Sequence, residues 1–459
     1  MRPFRHFLLL AVAFSAARSA TIPELFQERL KSVVAVEFLV QAELERRPVF
    51  VLGTVADSHG TIILPGSAIA PGIAPAQLKD FKVYRPNSSE PFTAEYLGQD
   101  AYTGWHFIRV EEKARAHLVP ITAYPPAAAE PALGEELWGI GLRNKEEDFA
   151  PYFQGGRTAM VARLPQKTAI LTADVAGPGL PAFNARGEFA GLALNSFGQN
   201  FLLFSRTQNG NPVLLVNVDE SSVVLLAEEV LPQLGRVPRE ISGRPIAWFG
   251  AYGLQPMDPA VAKFLQLENQ SGVVLSDIME GSPAALAGFK ERDIVLAVDG
   301  QPLPRLKPDR VVLVYLGQQV LRRLPGDTLA LTVRRGADTL DLKVTLGDEP
   351  RMVREAQRKF FERLGFTARE FLANDSLIHR TKPAERRGGV VHFVKPNSPA
   401  ATVGLQPEDW VREINGEEMQ NYEQVIQKLA AIESDPARPE FVLLVSRGGE
   451  TSVLRVKLN

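Results

Sequence analysis

The stretch Gly281-Ser-Pro-Ala-Ala-Leu-Ala-Gly288 decides the fold of the C-terminal half of the chain, because it returns in similar form as Asn397-Ser-Pro-Ala-Ala-Thr-Val-Gly404. After each copy comes an aspartate, Asp293 in the first and Asp409 in the second, which opens a strand-like run. Serine, proline, both alanines, glycine and aspartate all recur at one offset. A fixed offset over so many special residues indicates a duplicated module.

Each copy predicts the same local structure. Ser282 and Ser398 are suited to cap a short helix, and the proline that follows each of them fills its first position. The helix then ends at a glycine that can adopt a positive φ. A strand, an Asp-Gly or Asn-Gly turn, an amphipathic helix and a closing hairpin follow in each module. The amphipathic helices are predicted at residues 309–324 and 422–432, and the hairpin turns at residues 335–336 and 448–449.

The N-terminal half has a different pattern, in which many short β-type runs are separated by turns. Strands at such spacing are typical of an all-β barrel or sandwich, and about 200 residues fit a two-barrel unit. We predict a linker at residues 235–244 and a helix within the charged stretch 350–363, between the two modules. The predicted strands are residues 32–40, 49–55, 61–64, 81–84, 107–110, 137–141, 169–172, 189–193 and 201–204.

Composition narrows the class of protein. The chain has 459 residues, 45% of them hydrophobic, and a formal net charge of −2, so no bulk charge attracts nucleic acid or anionic membranes. The chain has no cysteine, which excludes disulfides, thiolate catalysis and cysteine-ligated zinc. We also find no metal-site spacing and no phosphate-binding fingerprint, and therefore expect no metal and no cofactor.

The N-terminus predicts export. Arg2, Arg5 and His6 precede an apolar run at residues 7–14, and small residues follow up to Ala20. This order is typical of a secretory signal peptide. The run is too short to span a bilayer, which needs about 20 apolar residues. We predict that residues 1–20 are a signal peptide and that the mature protein is periplasmic or secreted, with no membrane span.

The duplicated modules resemble bacterial PDZ domains, over residues 246–348 (the first module) and 356–459 (the second module). PDZ domains bind a peptide as an added strand at an exposed sheet edge. The resemblance implies that the C-terminal carboxylate of the peptide lies on backbone N–H groups of a glycine loop. That loop should be Trp248-Phe249-Gly250-Ala251 in the first module and Arg363-Leu364-Gly365-Phe366 in the second.

Apolar residues near these loops and on the amphipathic helices have two interpretations. They could line the grooves and select peptides with hydrophobic C-terminal residues, or they could simply pack in the core. The residues concerned are Phe249, Tyr252, Val312 and Leu316 in the first module, and Leu364, Phe366, Val425 and Leu429 in the second.

The N-terminal half resembles the protease domain of the HtrA/Deg family. The resemblance rests on residues 32–37, which match the first strand, on residues 57–63, which match the hairpin before the catalytic histidine, and on residues 184–192, which match the hairpin after the nucleophile. It implies an all-β chymotrypsin-like double barrel over residues 21–234, followed by two α+β PDZ domains. Members of this family often form trimers, which implies possible homo-oligomerisation.

The family's catalytic positions are replaced in this chain. Ser67 stands at the histidine position, Gly104 at the aspartate position and Pro178 at the nucleophile position. Acyl transfer by this mechanism needs a hydroxyl, an imidazole and a carboxylate, and a proline cannot supply the oxyanion N–H. Loss of nucleophile or base alone costs on the order of 10⁶ in turnover in a related system.

Another residue could in principle replace the lost base. His106 follows Gly104 by two residues and could approach Ser67 as a rearranged pair, although it could equally be a buried or edge histidine. His59 falls in a predicted turn and is interpreted as a solvated residue.

Three functions therefore stay open at this point. The first is an exported pseudoprotease that binds peptides, protein C-termini or unfolded envelope proteins as a chaperone, adaptor or regulator. The second is an active endopeptidase with a displaced triad. The third is a scaffold whose PDZ domains bind the chain ends of its own subunits.

Overall fold

The computed structural model describes residues 20–194, 221–241, 243, 245–307, 309–382, 385 and 387–458. All but the last residue of the predicted signal peptide, and the predicted strand at 201–204, lie outside the described residues. Within the described ranges, no helix is long and apolar enough to cross a membrane.

The N-terminal half forms two closed antiparallel barrels of six strands each, which confirms the predicted double barrel. The strand order is β1-β2-β3-β6-β5-β4 in the first barrel and β7-β8-β9-β12-β11-β10 in the second, so both have the same topology. The first barrel contains β1 (Val33–Gln41), β2 (Arg46–Val55), β3 (Thr61–Leu64), β4 (Leu78–Tyr84), β5 (Pro91–Gln99) and β6 (His106–Val110). The second contains β7 (Glu136–Leu142), β8 (Pro151–Ala162), β9 (Thr168–Leu171), β10 (Pro181–Asn184), β11 (Phe189–Ala193) and β12 (Val223–Leu226).

Four strands of the barrels, β5, β8, β10 and β12, were not predicted, and two of them, β5 and β8, lack a continuous apolar run. Strand β5 alternates exposed and half-buried residues before its last positions enter the core. Strand β8 carries two glycines and an arginine in its middle, and its side chains are mostly exposed or half-buried. Both strands pair along their length with neighbours, so ladder hydrogen bonds rather than side-chain burial hold them in place.

Two short helices flank the barrels: α1 (Ile22–Arg29) and α2 (Ala227–Val230). Helix α1 packs on the second barrel through Leu25. Its last residue, Arg29, is buried, and the guanidinium donates to the Gly187 carbonyl at 2.8 and 3.1 Å. The guanidinium also lies 4.0 Å from the ring centroid of Tyr124. Cation–π contact and hydrogen bonds thus compensate the burial of this charge.

The first module is an α+β unit whose central sheet has the order β15-β16-β18-β20-β21. Its strands are β13 (Ala247–Trp248), β14 (Ala251–Tyr252), β15 (Gln255–Pro256), β16 (Val273–Val274), β17 (Asp277–Ile278), β18 (Ile294–Val298), β19 (Gln301–Pro302), β20 (Thr328–Arg335), β21 (Asp338–Thr345) and β22 (Gly347–Asp348). Its helices are α3 (Pro259–Phe264), α4 (Pro283–Leu286) and α5 (Val311–Leu321).

The second module repeats this plan, with the sheet order β23-β24-β25-β26-β28-β29. Its strands are β23 (Arg358–Phe361), β24 (Phe366–Glu370), β25 (Gly389–Val394), β26 (Trp410–Ile414), β27 (Glu417–Glu418), β28 (Glu440–Arg447) and β29 (Glu450–Lys457). Its helices are α6 (Ala373–Ile378), α7 (Pro399–Thr402) and α8 (Tyr422–Glu433). As predicted, Ser282 and Ser398 cap the short helices α4 and α7.

The helix predicted within residues 350–363 is wrong. The segment forms a single 3₁₀ turn at Val353–Glu355 and then strand β23. Phe360 and Phe361 are consecutive, so a helix would point them in different directions, whereas a strand places them on its two opposite faces. Tertiary pairing with β24 therefore overrides the charged composition on which the helix prediction rested.

An ion pair recurs at the same place in both modules and explains why the aspartate recurs in the sequence. The Asp293 carboxylate receives two bonds of 2.7 Å from Arg335, and Asp409 receives two of 2.6 Å from Arg447. Both aspartates are fully buried. Each arginine also donates to the carbonyl of the glycine that ends the short helix, Gly288 or Gly404. The pair therefore ties the closing hairpin to the helix–strand connection.

We expect Asp293→Ala to destabilise the first module and Asp409→Ala the second, each by about 2–4 kcal/mol, because a fully buried carboxylate that accepts two charged hydrogen bonds is removed. Urea unfolding with hydrogen exchange of each module measures the effect. The exposed Lys307–Asp309 pair offers a control, since Asp309→Ala should change stability by less than about 0.5 kcal/mol. Equal losses from the buried and the exposed aspartates would contradict the assignment.

Candidate functional site

A cleft of about 850 Å³ lies between the two barrels, at the place where a protease of this fold would hold its catalytic groups. Its walls combine apolar residues with charged and polar residues of the β7–β8 connection. Ser67 and Pro178 both line the cleft. The lining residues are Ala35, Phe50, Val51, Leu52, Pro65, Ser67, Ala68, Leu142, Arg143, Asn144, Lys145, Glu146, Glu147, Phe149, Tyr152, Gly177 and Pro178.

Ser67 lies in a 3₁₀ turn, Gly66–Ala68, that follows strand β3 and Pro65. It is exposed, as a group at the mouth of a cleft should be. Among the described residues that line the cleft there is no histidine, so the Ser67 hydroxyl has no imidazole beside it. A hydroxyl without a base stays protonated at neutral pH and is a weak nucleophile.

Gly104 lies directly behind the Ser67 turn rather than in the cleft wall. A Cβ built on Gly66 would come within 2.9 Å of the Gly104 carbonyl oxygen, so the two backbones are in close contact. Gly104 has a φ of +72°, and its carbonyl accepts a hydrogen bond of 3.0 Å from the Gln99 amide. No side chain is present here to orient an imidazole.

The nearest carboxylate of this loop, Asp100, is already engaged. It is buried and receives bonds of 2.9 and 3.0 Å from the guanidinium of Arg236. It also accepts hydrogen bonds from the backbone N–H and the hydroxyl of Thr103. These bonds hold the loop and the segment after the second barrel together. This contact was not predicted, because Arg236 lies 136 residues after Asp100 in the chain, within the predicted linker.

Pro178, which the sequence resemblance predicts at the nucleophile position, has no backbone N–H, and the N–H of the next residue is occupied. The Gly179 N–H donates to the Ala193 carbonyl at 2.8 Å. Gly179 lies against Pro65, and its carbonyl accepts a 2.7 Å bond from the Thr54 hydroxyl. The segment is thus packed on the first barrel, with neither the proline nor the following glycine able to bind an oxyanion.

His106 does not reach Ser67. It is 2% exposed, and its Nδ1 lies 2.9 Å from the Tyr96 hydroxyl, inside the first barrel. Burial lowers the pKa of His106 to about 4, and the nearby Gly66 backbone opposes this shift only partly. The imidazole is therefore neutral at pH 7 and has the role of a core residue. His59 is exposed in its turn.

The glycine loop of the first module has backbone donors to spare. Gly250 has a φ of +90°, and a Cβ there would lie 2.3 Å from the Ser282 Cβ, so only glycine fits. The carbonyls of Phe249 and Gly250 bind the backbones of Ala284 and Met279. Within the part of the chain that the structure describes, the N–H groups of Phe249 and Gly250 donate to no other group. They are available to an anion.

The glycine loop of the second module has the same backbone shape. Gly365 has a φ of +82°, and a Cβ there would lie 2.1 Å from the Ser398 Cβ. Its donors, however, are partly used. The Gly365 N–H donates to the Phe361 carbonyl at 2.8 Å, and the Arg363 N–H donates to a Glu433 carboxylate oxygen at 3.1 Å.

Most of the apolar residues considered for peptide selection are core residues. In the second module all four of them are fully buried in one cluster. In the first module Phe249, Val312 and Leu316 are buried, whereas Tyr252 is half-buried beside the groove. Trp248 and Ala251 of the loop are half-buried as well. The side chain of Arg363 is occupied at the end of α8, where it donates to the carbonyls of Ile432, Glu433, Asp435 and Arg438.

Comparison with known proteins agrees with this architecture. Residues 262–346 and residues 390–441 each match the family model described as a PDZ domain. A probable periplasmic serine endoprotease, DegP-like, from Ectopseudomonas mendocina is 26% identical over 291 residues, which cover 61% of this chain and 54% of the relative. A protein of the same description from Pseudomonas putida strain GB-1 is 23% identical over 419 residues, 88% of this chain and 78% of the relative.

The chain spans about half the length of several of these curated relatives, for example 44% of the one from Chlamydia pneumoniae. Among solved structures, a variant of the HtrA-type protease AlgW with a decapeptide matches with a TM-score of 0.51 at 15% identity, covering 72% of this chain and 98% of that chain. This likeness concerns the fold alone. With its two equivalent barrels and two PDZ matches, the chain carries a chymotrypsin-like double barrel ahead of its two PDZ domains, and in this arrangement it is similar to proteases of the HtrA/Deg family.

Proposed function

We propose that this protein binds peptides or unfolded protein segments outside the cytoplasm and does not cleave them. The cleft carries the proposal, because Ser67 and Pro178 both line it and Gly104 lies behind the Ser67 turn. These three residues do not provide the hydroxyl–imidazole–carboxylate set that the family mechanism requires. The periplasmic description of the relatives and the signal-like N-terminus support the compartment.

The first module is the proposed peptide site. The edge of β14 and β15 that faces away from β17 and β16 pairs with no strand among the described residues. Helix α5 contacts β15 and therefore lies beside this edge. A peptide added there as a strand would place its carboxylate on the free N–H groups of Phe249 and Gly250. Main-chain hydrogen bonds would supply affinity, and side-chain contacts with Tyr252 and α5 would supply selectivity.

The barrel cleft offers a second, less specific surface. Its walls include Phe50, Leu52, Phe149 and Tyr152, and Phe50 is 46% exposed. An apolar cleft that no longer performs chemistry can still hold an extended hydrophobic segment, as expected of a chaperone or adaptor. A protein that binds such segments could also regulate other envelope proteins, and this binding requires neither a metal nor a cofactor.

We expect purified protein to show no hydrolysis of casein and no labelling by a fluorophosphonate probe, because the cleft lacks a base beside any hydroxyl. Ser67→Ala should leave this null result unchanged. Active trypsin, treated in parallel, provides the positive control for both assays. Probe labelling that disappears in Ser67→Ala would instead establish an active protease with a displaced triad.

We expect decapeptides that end in a hydrophobic residue with a free carboxylate to bind the first module, and amidation to weaken them at least about tenfold, since the loop amides bind an anion. Gly250→Val should abolish this binding, because its side chain would collide with Ser282. Gly300→Ala is the matched control: Gly300 also has a positive φ, but a Cβ there meets nothing within 4 Å. Fluorescence anisotropy measures the binding of both peptides to the native protein and to each of the two variants.

Equal binding of free and amidated peptides would contradict carboxylate capture. Binding restricted to peptides that copy the chain's own C-terminus would favour the scaffold function instead.

A further inference from the structure

Strand β24 of the second module is paired along both of its edges. One edge pairs with β25, which corresponds to the inner pairing of β14 with β17 in the first module. The other edge pairs with β23, in the register Arg358↔Arg369, Lys359↔Ala368, Phe360↔Thr367 and Phe361↔Phe366. In the first module the corresponding edge pairs with no strand among the residues that the structure describes. Strand β23 therefore lies where an added peptide strand would lie.

The direction of β23 is that of a bound peptide. It runs antiparallel to β24 and reaches the glycine loop with its C-terminal end, so Phe361 occupies the place of a peptide's last residue. Helix α8 contacts both β23 and β24, so β23 fills the groove between helix and sheet. The Phe361 side chain is fully buried in the cluster that contains Val425 and Leu429 of α8.

The loop amides bind β23 as they would bind a ligand. The Phe361 carbonyl, which takes the position of a terminal carboxylate, accepts the Gly365 N–H at 2.8 Å. A true carboxylate is also present, because Glu433 at the end of α8 accepts the Arg363 N–H at 3.1 Å. The chain thus provides both the strand and an anion for this loop.

The outer face of β23 is held as well. Arg358 and Phe360 line a groove of about 800 Å³ against the first barrel. The Arg358 guanidinium contacts the Nε2 of His392 at 2.5 Å, and burial lowers the pKa of this histidine to about 4, so the ring stays neutral and can accept the bond. Just before β23, Arg354 donates to the side chain of Gln99, whose amide binds Gly104.

From these contacts we infer that β23 is a built-in ligand of the second PDZ domain, and that this groove is closed to other peptides while β23 is in place. The inference rests on the proposed function in one respect, namely that the groove is of the peptide-binding kind. It assigns the two PDZ domains different states: the first is open, and the second is occupied by residues 358–361 of the same chain.

Tethering makes this occupancy strong. A segment joined to its site by a four-residue loop competes at an effective concentration of millimolar or more, and the apparent affinity of a free peptide falls with the fraction of open groove. The affinity of a free peptide for the second groove should therefore be at least about tenfold lower when β23 is in place than when β23 has been released.

The test uses the full chain and the peptide Arg-Glu-Ala-Gln-Arg-Lys-Phe-Phe, a copy of residues 354–361 with a free carboxylate, in which a photo-reactive residue replaces the lysine. A decapeptide with a hydrophobic C-terminus is run beside it. Mass spectrometry after irradiation separates labelling of α5 from labelling of α8. Because the chain has no cysteine, Phe360→Cys with Thr367→Cys can lock β23 onto β24 by a single disulfide.

The releasing variant is Lys359→Pro, which removes a ladder N–H from an exposed position of β23. Glu450→Pro is its matched control, since Glu450 is an exposed first residue of the edge strand β29. We expect α8 labelling to rise at least about tenfold in Lys359→Pro, and to stay low in the native chain, in Glu450→Pro and in the oxidised cysteine pair.

Strong α8 labelling in the native or the oxidised chain would overturn the inference, as would no gain in Lys359→Pro. Labelling of α5 reports separately on the proposed function. If α5 is never labelled while α8 responds to β23 as described, the first module is not the peptide site but the built-in ligand stands. If α5 is labelled and α8 labelling never responds to β23, the first module is the peptide site but β23 is not a built-in ligand.

Discussion

A β-strand at the edge of a sheet has backbone donors and acceptors that water, a ligand or another strand must satisfy, and this constraint governs both PDZ domains. The glycine loops are nearly identical in backbone shape, and each is pressed against the serine that caps the next helix. What differs is the edge beyond the loop. In the first domain it pairs with no described strand, and in the second β23 satisfies it.

Much of this fold could be predicted because the signals are local. The Ser-Pro-Ala-Ala repeat predicts a helix cap, a short helix and a glycine at its end. The structure has these features in both modules, with Ser282 and Ser398 as the caps. Barrel strands with continuous apolar runs, such as β3 and β11, were also predicted with bounds that agree with the structure. Strands β5 and β8 escaped because the ladder, which sequence does not display, holds them.

The candidate site was predictable only where it depends on residue type. The identities of Ser67, Gly104 and Pro178 follow from reading the motifs, but their surroundings do not. The ion pair between Asp100 and Arg236 and the contact of Arg363 with the end of α8 join residues far apart in the chain. Strand β23 was not predictable for a similar reason. It lies in a charged stretch that is typical of an exposed helix, and it forms a strand because it pairs with the edge of β24.

One of the contacts between the first barrel and the C-terminal half is a hydrogen-bonded path. Gln99 donates to the Gly104 carbonyl with its amide nitrogen, and its amide oxygen accepts from Arg354, which lies four residues before the start of β23. In an active enzyme the Gly104 position would carry a carboxylate and serve the chemistry. Here its backbone instead anchors the segment that fills the second groove. The loop that contains Gly104 is thus linked, through Gln99 and Arg354, to the segment that leads into β23, the strand that we propose as a built-in ligand.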